Sequence, residues 1–242
     1  MKDQYFSRAV EKAMLALECI RRSPQPLSLA EISALLGLTK TSAFRLLYTL
    51  ESLHYLCKTP DGRYFAQTNH HQLLRQGSEP LERLCMEYCE TASMAALFEN
   101  HIEVLLVFES PQLMRMGNTP GRILPPNASS LGKAITAFQP PEITEKLVRS
   151  YGTHYFTPNT ITDEIALRDE FAMIRERGSA EDLEESTPGG RCFAAPILRA
   201  NGYAIGAVSL SMPMIRFRGE EQRKTVVAAV RETARAIEKR LG

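Results

Sequence analysis

This 242-residue chain has no long apolar run and no strong excess of charge of either sign. No stretch approaches the roughly 18 consecutive apolar residues that a membrane-spanning helix needs. The first residues, MKDQYFSRAV, contain no apolar core of the kind that marks a secretory signal peptide. With 44% hydrophobic and 24% charged residues, the composition is typical of a globular protein. We therefore expect a cytoplasmic protein with one large domain or two modest ones and no membrane contact.

The chain also lacks the residue clusters that metal sites and enzymes need. Its five cysteines are scattered and odd in number, which is typical of a reducing compartment. Cys85 and Cys89 lie four residues apart, but no second Cys or His pair follows at a zinc spacing. His101 and His154 stand in no recognisable catalytic spacing, and no histidine near Cys192 in the sequence could activate it. We predict no catalytic site, no cofactor and no metal.

The net charge of +1 hides an uneven distribution along the chain. Residues 1–70 contain nine Lys or Arg and six Asp or Glu, a net charge of +3. Residues 71–242 contain twenty and twenty-two, a net charge of −2. A modestly basic first segment suits phosphate contacts. Because +3 is small, a single copy should bind nucleic acid weakly, and a dimer would double the contacts.

The most informative stretch begins at Ser28 and predicts two short helices joined by a tight turn. Ser28 can cap the first helix while Glu31 reaches back to its amide, which is a capping box. Gly37 supplies the left-handed residue that ends this helix, and Thr39 can cap the second. Apolar residues at helical spacing predict the buried faces. They are Leu29, Ile32, Leu35 and Leu36 in the first helix, and Phe44, Leu47, Leu50 and Leu53 in the second.

The exposed start of the second helix carries hydrogen-bond donors and small hydroxyls but no acid. Two helices crossing at such a turn present the second in the DNA major groove, with its first residues at the base edges. The turn Pro60-Asp61-Gly62-Arg63 then separates two predicted strands, Tyr55–Thr59 and Tyr64–Gln67. This pattern predicts a winged helix-turn-helix. Its DNA-binding residues would be Lys40, Thr41, Ser42 and Arg45 on the helix, and Arg63 at the wing tip.

A helix before the helix-turn-helix is predicted to complete the core of this small domain. Ser7 precedes an apolar stripe at helical spacing. Its members are Val10, Ala13, Met14, Leu17 and Ile20.

The rest of the chain alternates strands and helices. Residues 68–79 are polar and mark the domain boundary, and Pro80 can begin a helix that runs to about Glu90. The predicted strands are Thr91–Phe98, Ile102–Glu109, the short extended piece Leu113–Met116, Cys192–Leu198 and Tyr203–Met212. The predicted helices are Ser129–Phe138, Pro140–Val148, Asp163–Arg177 and Gly219–Leu241. Turns at 99–101 and at Asn201-Gly202 indicate hairpins, so the sheet should be largely antiparallel with helices packed on it, an α+β fold.

Two features of this second region indicate a ligand site. The loop that opens the helix at Ser129–Gly132 offers free amides and the positive end of the helix dipole, which suits a carboxylate; a plain helix start is the alternative. Ser209 and Ser211 share one face of a strand, where buried hydroxyls need backbone or ligand partners. A thiol that lines the pocket or the core is the favoured role for Cys192.

The whole chain resembles the IclR family of bacterial transcriptional regulators. The winged-helix domain is similar over SLAEISALLGLTKTSAFRLLYTLESLHYL. The effector-binding domain is similar over LPPNASSLGKAITAF (124–138), residues 157–178 and residues 184–213. The resemblance implies an all-α winged helix-turn-helix domain at 1–68, a linker and interdomain helix at 69–90, and a GAF-like antiparallel sheet with flanking helices at 91–242.

The resemblance also implies partners and a pocket. The expected partners are double-stranded DNA with a pseudo-palindromic operator, a small carboxylate effector, and further copies of the chain in a homodimer or homotetramer, paired largely through the DNA-binding halves. The implied function is control of a catabolic operon, most simply as a repressor. The implied pocket residues are Ser130, Leu131, Asp182, Cys192, Ser209 and Ser211, with apolar walls from Leu113, Met116 and Leu124.

This chain departs from the family pattern at the pocket. Asn127 stands where a histidine is common, and Ser130-Leu131 replaces the glycine-alanine pair of members that bind oxo-acids. The alternatives to a ligand-responsive regulator are a small-molecule enzyme domain fused to a DNA-binding module, and a metal or redox sensor that uses Cys85, Cys89 and Cys192.

Overall fold

The computed structural model describes residues 6–23, 25–53, 55–59, 61–66, 70–98 and 100–241. The chain forms two compact units, Met1–Asn69 and His70–Gly242. Three parts of the sequence predictions lie outside the described residues: Pro60, Glu99, and the segment 67–69 at the predicted domain boundary. No helix in the described ranges is long and apolar enough to cross a membrane.

The first unit has the predicted winged-helix order. Its elements are α1 (Arg8–Arg22), α2 (Leu29–Leu35), α3 (Lys40–Ser52), β1 (Leu56–Lys58) and β2 (Tyr64–Ala66). Ser28 and Glu31 form the predicted capping box, Thr39 caps α3, and Gly37 has a φ of 60°. β1 and β2 pair antiparallel as the wing. The local signals for helix starts and stops are therefore confirmed.

The buried faces of the first unit differ from the prediction in part. Phe44 is 46% exposed and Leu53 is 59% exposed, while Ala43, Leu47 and Leu50 are buried. A strict i+3 repeat drifts by about 60° per step around a helix, so its ends point to opposite sides. The buried set instead follows the i, i+4, i+7 pattern.

The same reasoning corrects two other predicted faces. Leu35 of α2 is exposed, and so are Val10 and Met14 of α1. α1 reaches the core through another set of residues, Ala16, Leu17 and Ile20, with Ala13 packed against them. The exposed apolar side of α1 is a second face, which with Phe6 and Leu15 lines a shallow groove.

The second unit contains five helices and five strands among its described residues. They are α4 (His70–Tyr88), β3 (Thr91–Leu97), β4 (Ile102–Phe108), α5 (Ser130–Ala137), α6 (Pro141–Tyr151), α7 (Glu164–Arg177), β5 (Ala180–Leu183), β6 (Gly190–Leu198), β7 (Ala204–Pro213) and α8 (Glu220–Leu241). A 3₁₀ turn, Met214–Arg216, precedes α8. The strands form one antiparallel sheet in the order β4-β3-β7-β6-β5, which confirms the α+β class.

The prediction that a helix begins at Pro80 is wrong. α4 begins at His70, and Pro80 lies buried inside it. The segment 70–88 thus packs in the core of the second unit, where Leu73, Leu81 and Leu84 belong to its hydrophobic cluster. Gly77 permits this packing, because a Cβ there would lie 2.6 Å from the Met94 sulfur on β3.

The sheet has a different layer on each face. On one face α4 and α8 cover large apolar side chains such as Phe193, Leu210 and Met94. On the other face the strands present small residues, including Ala95, Ala194 and Ala207, against α5 and α7. The small residues let helices approach this face closely, and the polar side chains of the predicted pocket share it.

Two further predictions about the second unit need correction. The segment Leu113–Met116 is an irregular loop rather than an extended piece. β5 was not among the predicted strands, and its sequence, AEDL, carries two acids. Both acids are buried and have partners: Glu181 pairs with Arg223 and Arg191, and Asp182 accepts backbone amides.

Candidate functional site

The N-terminal half of α3 is a solvent-exposed polar surface. Lys40, Thr41 and Ser42 are exposed, as is Arg45 one turn later. Thr39 accepts a hydrogen bond from the Ser42 amide at 3.3 Å, and its hydroxyl donates to the Ser42 oxygen at 3.0 Å. The cap therefore holds the first turn in place while the side chains of Lys40 and Thr41 point into solvent.

Two aromatic side chains that were not predicted as site residues lie on the exposed side of α3, and one of them, Phe44, was predicted to be buried. Phe44 and Tyr48 are both exposed, and their rings stack with centroids 6.1 Å apart. The signal was present, since they lie four residues apart and share one helix face, away from Ala43 and Leu47. The exposed surface of α3 thus combines cationic, hydroxyl and aromatic groups.

Arg63 differs from the α3 residues because it already has partners. Its guanidinium donates to the Pro26 carbonyl at 2.9 Å and to Glu31 at 3.1 Å, and it lies 3.4 Å from Asp61. The Ser28 amide and hydroxyl, with help from Arg63, hold the pKa of Glu31 below its usual range. Arg63 therefore ties the wing to the start of α2, and its predicted DNA contact stays a prediction.

In the second unit, the strand register brings four polar residues into one row. Asp182 pairs with Cys192, Cys192 with Ser211, and Ser211 with Thr91. Directly opposite residues in antiparallel strands share a face of the sheet. The row therefore crosses β5, β6, β7 and β3 on the face toward α5. Asp182, Cys192 and Ser211 are all predicted pocket residues, and the structure brings the three together.

Asp182 is a buried carboxylate with its oxygens already engaged. One oxygen accepts the Glu185 amide at 2.7 Å and the Ser186 amide at 3.2 Å, and the other accepts the Ser186 hydroxyl. Burial nevertheless raises the pKa of Asp182, against the effect of these donors. Asp182 thus shapes the loop after β5 and gives this end of the row a negative character.

An ion pair lies next to this loop in the interior. The Lys133 ammonium of α5 donates to both Glu185 oxygens at 2.6 Å, and Lys133 is 1% exposed. Glu170 of α7 is 3.8 Å from the same ammonium and also pairs with Arg177 at 2.6 Å. Burial raises the pKa of Glu185 despite its pairing with Lys133. The pair fastens α5 to the loop after β5, whose amides Asp182 accepts.

Cys192 and Ser211 form the accessible part of the row. Both are half-buried, whereas Asp182 and Thr91 are buried. Desolvation, together with the charge of Asp182, raises the pKa of Cys192 to about 12, although the Ser211 hydroxyl bonds to the sulfur. A thiol with this pKa is protonated at neutral pH, which suits a binding wall and does not suit a nucleophile.

The second row of the same face holds the other predicted serine. Ser209 pairs with Ala194 on one side and with Ser93 on the other, and both serines are buried. The Asn118 amide donates to the Ser93 hydroxyl at 3.1 Å. Ser93 and Asn118 were not predicted as site residues, because their position beside Ser209 depends on the register of β3 against β7.

The remaining predicted pocket residues divide into two groups. Ser130 and Leu131 are buried at the start of α5, and Leu124 is buried in the same hydrophobic cluster as Leu131. Met116 packs over Gly190, where a Cβ would lie 2.6 Å from the Met116 methyl carbon. Leu113, in contrast, is 100% exposed, so the structure does not bring it to the other residues.

The start of α5, predicted as an anion site, has its own side-chain cap. Ser129 accepts the Gly132 amide at 3.0 Å and donates to the Pro125 carbonyl at 2.9 Å. Gly132 has no room for a side chain, since a Cβ would lie 2.2 Å from the Pro125 oxygen. One of the helix-terminal amides is thus already satisfied within the protein.

A metal site requires several ligating side chains close together. Over the described ranges, no group of three or more His, Cys, Asp or Glu side chains could hold a metal ion. Cys85 is buried and its pKa is raised by burial, while Cys89 is exposed and bonds to the Met86 carbonyl.

Comparisons with known proteins cover nearly the whole chain. Residues 9–60 match the family described as the IclR helix-turn-helix domain, and residues 65–239 match that described as the bacterial transcriptional regulator IclR C-terminal domain. The HTH-type transcriptional regulator BhcR of Paracoccus denitrificans is 31% identical, covering 95% of this chain and 86% of its own. The DNA-binding transcriptional repressor YiaJ of Escherichia coli is 29% identical, covering 98% of this chain and 88% of its own. The crystal structure of the Thermotoga maritima IclR aligns with a TM-score of 0.66 at 25% identity, covering 96% of this chain and 98% of its own.

Proposed function

Because this chain belongs to the IclR family of bacterial transcriptional regulators, we propose that it represses a catabolic operon under the control of a small carboxylate metabolite. Membership makes it a DNA-binding regulator with a C-terminal effector-binding domain, and its relatives are regulators of transcription and not enzymes. The observation that carries the DNA-binding part is the exposed, acid-free first half of α3 on an intact winged helix.

α3 is the recognition helix in this proposal. Lys40, Thr41, Ser42 and Arg45 contact bases or phosphates in the major groove, and the wing lies along the flanking backbone. In a dimer, two such helices about 34 Å apart read a pseudo-palindrome. Arg63 contributes to DNA binding by holding the wing in position, through its bonds to Pro26 and Glu31, as well as by any direct phosphate contact.

The exposed apolar face of α1 supports the dimer part of the proposal. Phe6, Val10 and Met14 lie at i, i+4, i+8 and line one groove. A stripe of this kind on a small domain marks an interaction surface. A second copy of the chain is the occupant that a symmetric operator requires.

In this proposal the effector site lies over Cys192 and Ser211, the half-buried residues of the row. Its walls combine a protonated thiol, a hydroxyl and the Met116 side chain, which suits a small polar metabolite with some apolar surface. An effector controls DNA binding only if it binds the two arrangements of the protein with different affinity. Dimers and tetramers both allow this coupling.

Selection of bound duplexes from a random pool, followed by fluorescence anisotropy on the enriched sequence, tests the DNA-binding proposal. We expect an inverted repeat with half-sites about one helical turn apart. Arg45→Ala should weaken binding roughly 5- to 150-fold, as expected for loss of 1–3 kcal/mol from an arginine that reads a base. Arg149→Ala, an exposed arginine in the second unit, is the matched control.

Two results would contradict this proposal. One is enrichment of sequences without inverted symmetry, which would remove the dimeric operator. The other is equal affinity of Arg45→Ala and Arg149→Ala for the selected duplex, which would remove α3 as the recognition element.

A further inference from the structure

Phe44 and Tyr48 form an exposed aromatic pair on α3, the helix proposed to enter the major groove. Their ring centroids lie 6.1 Å apart with the planes inclined by 30°, and Phe44 is 46% and Tyr48 59% exposed. Aromatic side chains at i and i+4 of a helix contact each other and restrict each other's position. Phe44 therefore presents a large apolar group to solvent in a fixed arrangement.

The core of the first unit is formed without these two rings. Its hydrophobic cluster takes Leu47 and Leu50 from α3, and among the described residues it includes neither Phe44 nor Tyr48. A pair of large apolar side chains left in solvent, in contact with each other, is more informative than a single exposed one. Such a pair indicates contact with another molecule.

The side chains around Phe44 indicate which kind of molecule covers it. Lys40 lies one turn before Phe44 and Arg45 follows it directly, and both are exposed. α3 has no acid in its first turn, and its first carboxylate, Glu51, pairs with Lys58 at 2.8 Å. The matching partner has negative charge around an apolar group. DNA offers both, because phosphates border the major groove and thymine methyl groups lie within it.

The position of Phe44 along α3 suits contact with a base edge. In a helix-turn-helix, the N-terminal residues of the second helix reach the base edges, and Phe44 lies one turn inside the start of α3 at Lys40. Helical side chains lean toward the N-terminus of their helix, so the Phe44 ring covers the first turn. The Cα atoms of Phe44 and Arg45 are about 3.8 Å apart, close to the base-pair step of about 3.4 Å. The two side chains can therefore reach neighbouring base pairs.

The chemistry of the Phe44 ring limits what it can distinguish. A phenyl ring has no hydrogen-bonding group that could read the donors and acceptors of a base edge. In the major groove, thymine alone adds a methyl group, and apolar side chains such as Phe contact it. Over another base the ring would cover polar groups without bonding to them, which costs free energy. Thymine is thus the base whose groove edge suits Phe44.

We propose that Phe44 contacts the 5-methyl group of a thymine in each half-site of the operator. This inference rests on the proposed function, and it names Phe44 as a residue that determines base specificity. The contact is apolar and depends little on salt, whereas phosphate contacts from Lys40 and Arg45 weaken as salt is added. Sequence preference and overall affinity therefore come in part from different side chains of the same helix.

Replacement of thymine by deoxyuridine tests this contact in the full-length protein. Deoxyuridine lacks the 5-methyl group and keeps the base pairing of thymine. Fluorescence anisotropy titrations use the duplex selected from the random pool, with deoxyuridine at one symmetric pair of thymines at a time. Burial of one methyl group changes affinity roughly fourfold. We expect one symmetric pair of replacements to weaken wild-type binding about 10- to 20-fold.

Variants of Phe44 show whether this ring carries the effect. Phe44→Ala should bind the thymine duplex more weakly and should no longer distinguish thymine from deoxyuridine, whereas Phe44→Leu should keep part of the preference. Tyr55→Ala is the matched control, because Tyr55 is an aromatic residue of the same unit that is 44% exposed. It should keep the full wild-type preference. Because these variants replace exposed side chains, their melting temperatures should stay close to that of the wild type.

Three results would overturn the inference and leave DNA binding intact. In the first, no deoxyuridine replacement changes the affinity of the wild type for the selected duplex. In the second, Phe44→Ala keeps the wild-type preference, so that another residue contacts the methyl group. In the third, Phe44→Ala lowers the mass of the dimer in analytical ultracentrifugation and leaves the preference unchanged, which places the ring between copies of the chain. If no duplex is enriched at all, the proposed function itself is contradicted, and the inference falls with it.

Discussion

The two units of this protein place their functional side chains in opposite environments. In the first unit, Lys40 and Arg45 stand in solvent on α3, and the core behind them is formed by apolar residues and the ring of Tyr64. In the second unit, Asp182 and Ser209 lie inside the protein, on the same sheet face that packs against α5. The first site can therefore change without loss of the fold, whereas the second site is part of what holds its unit together.

The buried ion pair shows how closely the second site depends on packing. Lys133 joins α5 to Glu185, and the Glu185 amide in turn bonds to Asp182. A buried pair contributes little net stability by itself, but removal of one partner leaves an uncompensated charge. The effector site thus depends on a buried ion pair outside the row, whereas the described core behind α3 is apolar.

The largest expected effect comes from breaking this pair. Lys133→Met should destabilise the second unit by about 3–5 kcal/mol, because Glu185 then remains buried without its partner. Burial already raises the pKa of Glu185, so the variant should protonate this carboxyl more readily as the pH falls. A carboxyl group whose pKa is raised in the folded state stabilises the fold less as the pH rises. The loss of stability caused by Lys133→Met should therefore be smaller at pH 5 than at pH 8.

Urea denaturation followed by far-UV circular dichroism measures this deficit. The double variant Lys133→Met/Glu185→Leu removes both charges and should recover most of the lost stability. Lys239→Met, an exposed lysine at the end of α8, is the control and should change stability by less than about 0.5 kcal/mol. If the Lys133→Met protein is as stable as the Lys239→Met protein, the effector site of the second unit depends on packing no more than the α3 surface does.

The Cys192 thiol provides a second contrast, this time within one unit. Its pKa rises from an ordinary 9.0 to about 12, so at pH 8 its thiolate fraction is about a thousandfold below that of an unperturbed thiol. Iodoacetamide should therefore modify Cys192 far more slowly than the exposed Cys89. The rate of modification of Cys192 should rise about tenfold for each added pH unit below its pKa. The unfolded thiol ionises first, so this group lowers stability as pH rises from 9 to 12.

Peptide mass spectrometry of the alkylated protein measures both cysteines in one sample. In 8 M urea the two should react at similar rates, which tests that the difference belongs to the folded state. If Cys192 of the folded protein reacts as fast as Cys89, its surroundings are open and polar enough to stabilise a thiolate. The predicted contrast between these two cysteines would then be wrong.

Local features of the fold could be predicted from the sequence because they depend on near neighbours. The capping box at Ser28, the left-handed Gly37 and the hairpin at Asn201-Gly202 involve residues within a few positions of each other. Repeats of apolar residues were less reliable. Phe44 shared the i+3 spacing of its neighbours, yet the helix turns it toward solvent. α4 was predicted too short because proline favours helix starts, while packing of α4 on β3 carries the helix through Pro80.

The two candidate sites also differ in how far they could be predicted from near neighbours in the sequence. The α3 surface could be predicted because one helix carries it. Asp182 was assigned to the pocket from family resemblance alone, whereas strand alternation also indicated Ser211, and a pocket or core role was favoured for Cys192. The geometry of the Asp182–Cys192–Ser211 row depends on pairing between strands that are distant in the chain. Ser93 and Asn118 gave no sequence signal, since their contact spans 25 residues and requires the register of β3. Leu113 was assigned to the pocket, but an irregular loop leaves it in solvent.

The smallest expected effect lies at the helix caps of the first unit, where loss of one bond should affect stability and spare the α3 surface. Ser28→Ala should lower stability by about 1 kcal/mol, because its hydroxyl accepts the Glu31 amide at 3.3 Å within a reciprocal box. Ser7→Ala should cost less, since Ser7 accepts the Val10 amide at only 3.5 Å. Thermal melts by circular dichroism measure the stability of both variants.

The affinity of both variants for operator DNA should stay unchanged below the melting range, since Lys40 and Arg45 do not depend on α2 capping. A larger loss for Ser7→Ala, or a loss of DNA affinity with Ser28→Ala in the fully folded protein, would show that the exposed site is also coupled to the stability of its unit.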